Sequence, residues 1–441
     1  MYRNQHRVLL RQINKAGVVD YKQLMESGLY QELQSKSLLV QHKEVPLDLK
    51  ANSDARIVIE PYKIPFISYP FEWSFSQLRD AALLTLRIQR IALKHGMSLK
   101  DASAYNIQFD QGKPVFIDTL SFETYKPGEP WQAYRQFCQH FLAPLALMSY
   151  TDLHLSQLLR VYTDGIPLDL THKLLPARTR LKPGLAIHIS AHSRAQAAKA
   201  QSAAKPAGKV SLLRLEGILD NLARTIRHLK LPKANTEWGN YYDITNYTSA
   251  SEKKKATIIT DLVSSLPVKT VLDLGGNNGS YSRPLHKLKV LTVCADYDPL
   301  AVEDNYRTMR THNEHLMLPL LIDVTNPGGA LGWANQERDD ITKRLECDMV
   351  MALALIHHLA ISNNLPLSHI RDYLKSLGKY VLVEFVPKSD SQVKILLATR
   401  EDIFPDYNEA NFEAVFKQEF KLVEKKSIKG TKRTLYLFKR K

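Results

Sequence analysis

The chain has 441 residues, of which 44% are hydrophobic and 24% charged, a composition typical of a globular protein with two or three domains. Its formal net charge of +15 attracts anions, and nucleic acid is one possible partner. Much of this charge is dispersed, which favours solvated basic faces at Arg178, Arg180 and Lys182, at Lys253 to Lys255, and at Lys439 to Lys441.

Neither a membrane span nor a secretory signal is expected. No apolar run reaches the roughly 18–20 residues that a membrane helix needs, and the basic N-terminus lacks an apolar core and a cleavage site. The three cysteines, Cys138, Cys294 and Cys347, have no metal-ligand spacing and form no even disulfide set. We therefore expect a cytoplasmic protein without a metal site.

The N-terminal part carries an acid–amide–acid pattern. Asp101 is followed by Asn106 and then by Asp118, each beside an apolar run, and an apolar helix is predicted over Phe75 to His95. This pattern resembles the catalytic loop and the metal-binding aspartate of kinase-like phosphotransferases. The resemblance implies that Asp101 is the base and that Asn106 and Asp118 hold Mg²⁺ over ATP phosphates.

The same stretch departs from the kinase-like pattern in two ways. Leu99 stands where a histidine is expected, and no Gly-rich loop or secure strand lysine precedes it. Asp110 to Lys113 also reads as a plain turn between two strands. Three alternatives follow for an N-terminal α+β domain over residues 1–189: a kinase-like fold without transfer activity, an active phosphotransferase, or another α+β fold with a coincidental pattern.

A compositional break separates the two halves of the chain. Residues 190–209 are rich in Ala, Lys, Gln and Ser and lack bulky apolar residues, so they are predicted to be a linker or a weak exposed helix. Leucines and isoleucines at helical spacing from Val210 to Leu231 then predict an amphipathic helix within a connecting segment, residues 210–237.

Residues 238–441 alternate apolar, β-branched runs with helical stretches, which predicts an α/β domain with a mostly parallel sheet. Asn364-Leu365-Pro366 is predicted to begin one helix, and Gly378 to end it. The last two runs are close enough in sequence for an antiparallel hairpin. The predicted strands are Thr270 to Leu274, Val290 to Ala295, Leu318 to Ile322, Asp348 to Ala354, Tyr380 to Val386, Phe420 to Lys426 and Thr434 to Phe438.

The strongest motif is a glycine-rich turn after the first of these strands, from Asp273 through Gly275 and Asn277 to Gly279. Glycine permits tight torsions and the close approach of a ligand. The next strand ends at Asp296, 23 residues after Asp273, where an acid binds ribose hydroxyls in doubly wound folds. A nicotinamide-dependent dehydrogenase would have G-x-G-x-x-G directly after the strand, which this turn lacks.

This stretch resembles the first motif of class I S-adenosylmethionine (SAM) dependent methyltransferases, with Asn277 in place of the middle glycine. Asn tolerates left-handed torsions better than most residues. The resemblance implies a Rossmann-like sheet that binds SAM through three groups of residues: Asp273, Gly275 and Gly279 at the methionine part, Asp296 at the ribose, and Asp323 with Val324 at the adenine. Asn277 and Tyr297 are also expected to bind the cofactor.

The acceptor site is expected beyond the fourth and fifth strands of this domain. His357 or His358 is a candidate base or acceptor ligand, with a surface or structural histidine as the alternative. Glu384 lines the acceptor site or caps the next helix. Upstream, an aromatic segment is either a lid or ordinary packing: Trp238, Tyr241, Tyr242 and Tyr247.

Four stretches of the sequence give the whole chain a resemblance to bacterial methyltransferases related to the nodulation protein NoeA: Asp101 to Asp118, Trp238 to Tyr247, the glycine-rich turn, and Val383 to Asp390. We therefore expect a methyltransferase that modifies an oxygen or nitrogen of a small molecule or glycan. An RNA methyltransferase and a nucleotide-binding scaffold with an inactive kinase-like domain are the alternatives. The loop after the fourth strand has no Asn/Asp-Pro-Pro-Tyr and no cysteine, which disfavours several nucleic-acid chemistries.

Overall fold

The computed structural model describes residues 2–4, 8–191, 209–232, 249–398 and 401–441. The chain divides into two compact units, residues 1–233 and 234–441. No helix in the described part is long and apolar enough to span a bilayer.

The N-terminal unit is an α+β domain, as predicted. A four-stranded antiparallel sheet has the order β1-β2-β4-β3, and two short strand pairs, β5-β8 and β6-β7, accompany it. The strands are β1 (Tyr2–Arg3), β2 (Leu9–Asn14), β3 (His42–Val45), β4 (Ala55–Pro61), β5 (Met97–Leu99), β6 (Ile107–Asp110), β7 (Lys113–Phe116) and β8 (Phe122–Thr124). The α-helices are Val18–Glu26, Leu29–Ser35, Phe75–Lys94, Tyr134–Phe137, Ala143–Tyr150, Leu158–Val161, Leu168–Leu174, Pro183–Leu185 and Leu212–His228.

The helix Phe75–Lys94 forms because both its start and its buried face are encoded locally. Ser74 Oγ accepts a hydrogen bond from the N–H of Gln77, and the Gln77 side chain accepts one from the N–H of Ser74. The helix Leu212–His228 packs against it, with an ion pair between Arg90 and Asp220. The predicted amphipathic helix therefore exists and is part of the N-terminal unit.

The C-terminal unit contains a seven-stranded sheet of order β11-β10-β9-β12-β13-β15-β14. The first five of these strands are parallel, and β15 runs antiparallel to both β13 and β14. The strands are β9 (Thr270–Leu274), β10 (Leu291–Asp296), β11 (Met317–Leu321), β12 (Cys347–Ala352), β13 (Gly378–Phe385), β14 (Phe420–Ser427) and β15 (Thr434–Arg440). The predicted strands and the terminal hairpin are confirmed.

Helices surround this sheet because its central strands are apolar on both faces. One core cluster joins β9, β12 and β15 to the helix Ser249–Ser264. The predicted helix after Pro366 runs over Leu367–Leu377 and stops at Gly378. The other α-helices of the unit are Pro299–His312, Ile341–Arg344, Ser391–Leu397 and Glu409–Glu419.

The strand order fixes where a ligand is expected. From β9, the chain first adds β10 and β11 on one side and then β12 and β13 on the other. The carboxyl ends of β9 and β12 therefore flank a topological switch point, and doubly wound sheets bind ligands in the crevice outside it.

Candidate functional site

A cavity of about 420 Å³ opens at this switch point. It lies where β9, β10, β11 and β12 end, so the loops that follow these strands form much of its wall. The lining residues are Glu252, Lys255, Asp273, Gly275, Gly276, Asn277, Tyr281, Asp296, Tyr297, Ile322, Asp323, Val324, Thr325, Leu353, Ala354, Leu355, His358, Leu359, Ser362, Asn363 and Leu396.

The glycine-rich turn forms one side of the cavity. Gly275 and Gly279 have φ values of 72° and 82°, and Asn277 has a φ of 49°. The left-handed torsion expected at Asn277 is thus confirmed. A Cβ atom on Gly276 would lie 2.5 Å from Cys294 Sγ, so this position has no space for a side chain. The turn therefore presents backbone at the cavity wall.

The carboxylate of Asp296 connects β10 to the glycine-rich turn. Its Oδ2 accepts a hydrogen bond of 2.8 Å from the N–H of Asn277, and its Oδ1 accepts one of 2.9 Å from the N–H of Asp298. Burial raises the pKa of Asp296 to about 6. Each carboxylate oxygen has two lone pairs, so these two bonds leave acceptor capacity for a ligand.

Asp273 contributes a second buried carboxyl group to the wall. Its Oδ2 accepts a hydrogen bond of 2.5 Å from Ser282 Oγ, whereas its Oδ1 is buried without a partner. Burial raises the pKa of Asp273 to about 7. Because buried polar atoms are nearly always hydrogen-bonded, the Oδ1 atom marks a place for a ligand donor.

The predicted adenine and ribose residues line the same cavity. Asp323 Oδ1 accepts hydrogen bonds from the N–H and Oγ1 of Thr325, which fixes the turn after β11. Val324 is half-buried beside it, and Tyr297 is 50% exposed.

Of the two predicted histidines, only His358 lines the cavity. His357 is fully buried next to it, with ring centroids 4.2 Å apart. Burial lowers the pKa of His358 to about 4 and holds the pKa of His357 well below its usual value. Both imidazoles are therefore neutral near pH 7.

Glu384 lies behind the cavity wall instead of lining it. It is fully buried at the end of β13, where its Oε2 is 2.5 Å from Lys255 Nζ and its Oε1 is 3.5 Å from an Arg433 nitrogen. The alternative that Glu384 caps the next helix is wrong, because Asp390 Oδ1 accepts the capping hydrogen bond from Gln392.

Two cations of this site were not recognised in the sequence. Lys255 was expected on a solvated face, but it is 1% exposed and lines the cavity. Arg433 is also buried and forms a bidentate pair with Asp390 at 2.9 and 3.2 Å. A usable signal existed for Lys255, since it precedes the core residue Ile259 by four positions on the same helix.

Similarity to known proteins identifies the family of this chain. No family model matches it. The nodulation protein NoeA of Rhizobium meliloti (strain 1021) is 35% identical over 396 residues, which cover 88% of this chain and 83% of NoeA. The chain belongs to the NoeA family.

Three solved structures resemble a little under half of this NoeA-family chain. Magnesium protoporphyrin IX methyltransferase (ChlM) of Synechocystis PCC 6803, with bound SAH, has 17% identity and a TM-score of 0.34 over 46% of this chain and 92% of ChlM. N-methyltransferase NodS of Bradyrhizobium japonicum WM9 has 12% identity and a TM-score of 0.33, covering 44% and 97%. The bifunctional kinase-methyltransferase WbdD has 14% identity and a TM-score of 0.31, covering 47% and 42%.

In the N-terminal unit of this NoeA-family chain, each of the three residues of the kinase-like pattern forms a hydrogen bond or an ion pair with another protein group. Asp118 pairs with Arg11 at 2.5 Å, and Asp101 accepts a hydrogen bond from the N–H of Ser103. Asn106 donates to the Oγ of Ser121. No cluster of three or more potential metal ligands occurs in the part of the chain that the structure describes. Each of the three side chains thus has a partner within the protein.

Some predicted features lie outside the described residues. They are the aromatic segment Trp238, Tyr241, Tyr242 and Tyr247, and the larger part of the predicted linker, residues 192–208.

Proposed function

We propose that this NoeA-family protein is a SAM-dependent methyltransferase whose cofactor occupies the cavity at the carboxyl ends of β9 to β12. The observation that carries the proposal is the combination of a glycine-rich turn, which has no space for a side chain at Gly276, with two buried acids. Asp296 is hydrogen-bonded to the turn, and the Oδ1 atom of Asp273 lacks a partner.

The chemistry of SAM matches these acceptors. Its ribose hydroxyls and its amino-acid ammonium are hydrogen-bond donors, which the carboxylates of Asp296 and Asp273 accept. Asp323 and Val324 bind the adenine end of the molecule, and Tyr297 lines the cavity next to Asp296. The glycine-rich turn lets the backbone approach the cofactor closely.

Bound SAM supplies a methyl group activated by its sulfonium. The protein residues have to orient the acceptor in line with this group and exclude water, so positioning contributes most of the rate. His358 faces the cavity as a neutral imidazole, which can accept a hydrogen bond from an acceptor O–H or N–H. His357 supports it from the buried side.

The acceptor in this proposal is an oxygen or nitrogen on a small molecule or glycan. Among the described residues, four carboxyl groups and one lysine, Lys255, line the cavity. The carboxyl groups are those of Glu252, Asp273, Asp296 and Asp323. An acidic wall of this kind attracts a cofactor that carries a sulfonium, and it repels a phosphate backbone. The lining thus favours a small or neutral acceptor over RNA.

Calorimetric titration with SAM tests the cofactor assignment. The wild type is expected to bind saturably, and Asp296→Ala to bind at least tenfold more weakly, because two charge-assisted hydrogen bonds are lost. Asp304→Ala, an exposed acid on the helix Pro299–His312, is the matched control and keeps the wild-type affinity. A wild type that gives no binding heat refutes the proposal and favours the scaffold alternative.

Transfer of a labelled methyl group from SAM tests the acceptor class. We expect label in small-molecule or glycan fractions of a cell extract and none in RNA. Label in RNA that decreases steeply as salt rises would overturn the acceptor proposal, since phosphate contacts weaken in this way.

A further inference from the structure

Lys255 has an unusual position for a lysine. It is 1% exposed, its Nζ lies 4.1 Å from the centre of the Tyr281 ring, and both residues line the cavity. Lysine is almost never fully buried unless it is paired. The partner here is Glu384, with the oxygen and nitrogen 2.5 Å apart.

A chain of ion pairs behind the wall holds this ammonium in place. Glu384 also approaches Arg433, which forms a bidentate pair with Asp390. The four groups carry two positive and two negative charges, so the cluster is neutral as a whole. Glu384 and Arg433 are at most 2% exposed, and the cluster therefore has a fixed geometry.

Stability alone is a weak reason for such a cluster. Removing paired charges from water costs several kcal/mol per ion, and well-packed apolar residues often replace a buried ion pair without loss of stability. Among the described residues, Lys255 is the only member of this cluster that lines the cavity. A function at the cavity wall accounts for the presence of a charged group there.

Asp273 is the second charged group at this end of the cavity. It lies close enough to Lys255 for the two charges to interact, and its unpartnered Oδ1 accepts donors. A cation and an acid acceptor side by side are complementary to an α-amino acid, which carries a carboxylate and an ammonium on adjacent positions.

Resting on the proposed function, we propose that Lys255, anchored by Glu384, binds the carboxylate of the cofactor's amino-acid end, opposite Asp273. The ammonium of Lys255 has three donors and can serve Glu384 and a ligand carboxylate at the same time. Glu384 is then a positioning residue, because it orients Lys255 and does not touch the cofactor.

Two probes separate this contact from the rest of the site. S-adenosylhomocysteine carries the amino-acid carboxylate, whereas 5′-methylthioadenosine keeps the nucleoside and lacks the amino-acid end. We expect Lys255→Met to weaken the binding of S-adenosylhomocysteine by roughly 10–100-fold, which is the range for the loss of one hydrogen bond to a charged group. Binding of 5′-methylthioadenosine is expected to stay unchanged, and Lys254→Met, an exposed neighbour, is the matched control.

Lys255→Met leaves Glu384 without its lysine and can impair folding. The double variant Lys255→Met, Glu384→Gln removes one charge of each sign and retains the Arg433–Asp390 pair, so it should fold and show the same selective loss. Equal weakening of both probes, or of neither, in a folded variant overturns the proposal. If the wild type binds neither probe, the cofactor assignment itself fails, which is a distinguishable result.

Discussion

The carboxylate of Asp296 accepts a hydrogen bond from the backbone N–H of Asn277 at 2.8 Å, which joins the end of β10 to the turn after β9. The glycine-rich turn and the acid at the end of β10, which the sequence indicated separately, are thus joined in one structural unit. Asn277 makes this bond with its backbone N–H and has a left-handed torsion, so the residue at this position should matter through its backbone.

Asn277→Gly is expected to retain SAM binding within a few-fold, because glycine adopts the φ of 49° without strain. Asn277→Val should lose at least tenfold in affinity, since a β-branched residue is strongly disfavoured with this torsion. Calorimetry on both variants checks the expectation. Equal affinities for the two would contradict it.

Gly275→Val is expected to abolish SAM binding. The φ of 72° is unfavourable for valine, and a Cβ atom would lie 3.3 Å from Leu355 Cδ1, with the two further methyl groups crowding the same space. Calorimetry measures the loss, and circular dichroism verifies that the variant is folded. Retained micromolar affinity would show that the cofactor is not bound at this turn.

Asp273 should make the ligand-free protein less stable at high pH. Its pKa is about 7 in the folded state and roughly 3.9 in an unfolded chain. Between about pH 4 and pH 7, the folded protein therefore carries a proton on Asp273 that the unfolded chain has lost. The resulting contribution to the free energy of unfolding is complete below about pH 4 and disappears as the pH rises through 7.

The measurement is thermal unfolding of the wild type and of Asp273→Asn, whose side chain stays neutral. We expect the variant to unfold at a higher temperature than the wild type at pH 8, and the difference to shrink towards pH 5. Asp304→Asn, at an exposed position, should behave as the wild type at both pH values. A difference that does not change with pH would refute the role of this proton.

His358 is expected to remain neutral down to about pH 4, well below the usual histidine value of about 6.5. Its NMR signals, assigned with His358→Asn, should titrate with a midpoint near 4. His357→Ala and His358→Ala should both leave SAM affinity nearly unchanged, because we assign these residues to the acceptor side. A large loss in either variant would move that residue to the cofactor.

The positions of the strands could be predicted from the sequence, whereas the buried ion pair of Lys255 and Glu384 could not. Strands such as β9 are apolar runs bounded by polar residues, so their positions follow from local pattern. The pair of Lys255 with Glu384 joins residues 129 positions apart. The helical spacing of Lys255 from Ile259 indicates which of the three lysines faces inward, but no local pattern shows that its partner is Glu384.

Asp390→Asn should destabilise the fold by about 3–5 kcal/mol, because it leaves the buried Arg433 without its bidentate partner. Asp402→Asn breaks the more exposed pair with Lys388 and should destabilise the fold much less. Urea unfolding of both variants gives the comparison. Similar losses would mean that Arg433 finds another partner.

The position of β15 between β13 and β14 has a consequence for how this protein is synthesised. The ribosome makes β14 before β15, yet β14 has no strand of the sheet to join until β15 is inserted between it and β13. Arg433, which pairs with Glu384 and Asp390, lies directly before β15 and is therefore also synthesised late. A nascent chain that stops before residue 428 therefore has one cation, Lys255, for the two buried carboxylates of Glu384 and Asp390, so translation of the final hairpin completes the charge cluster behind the cavity wall.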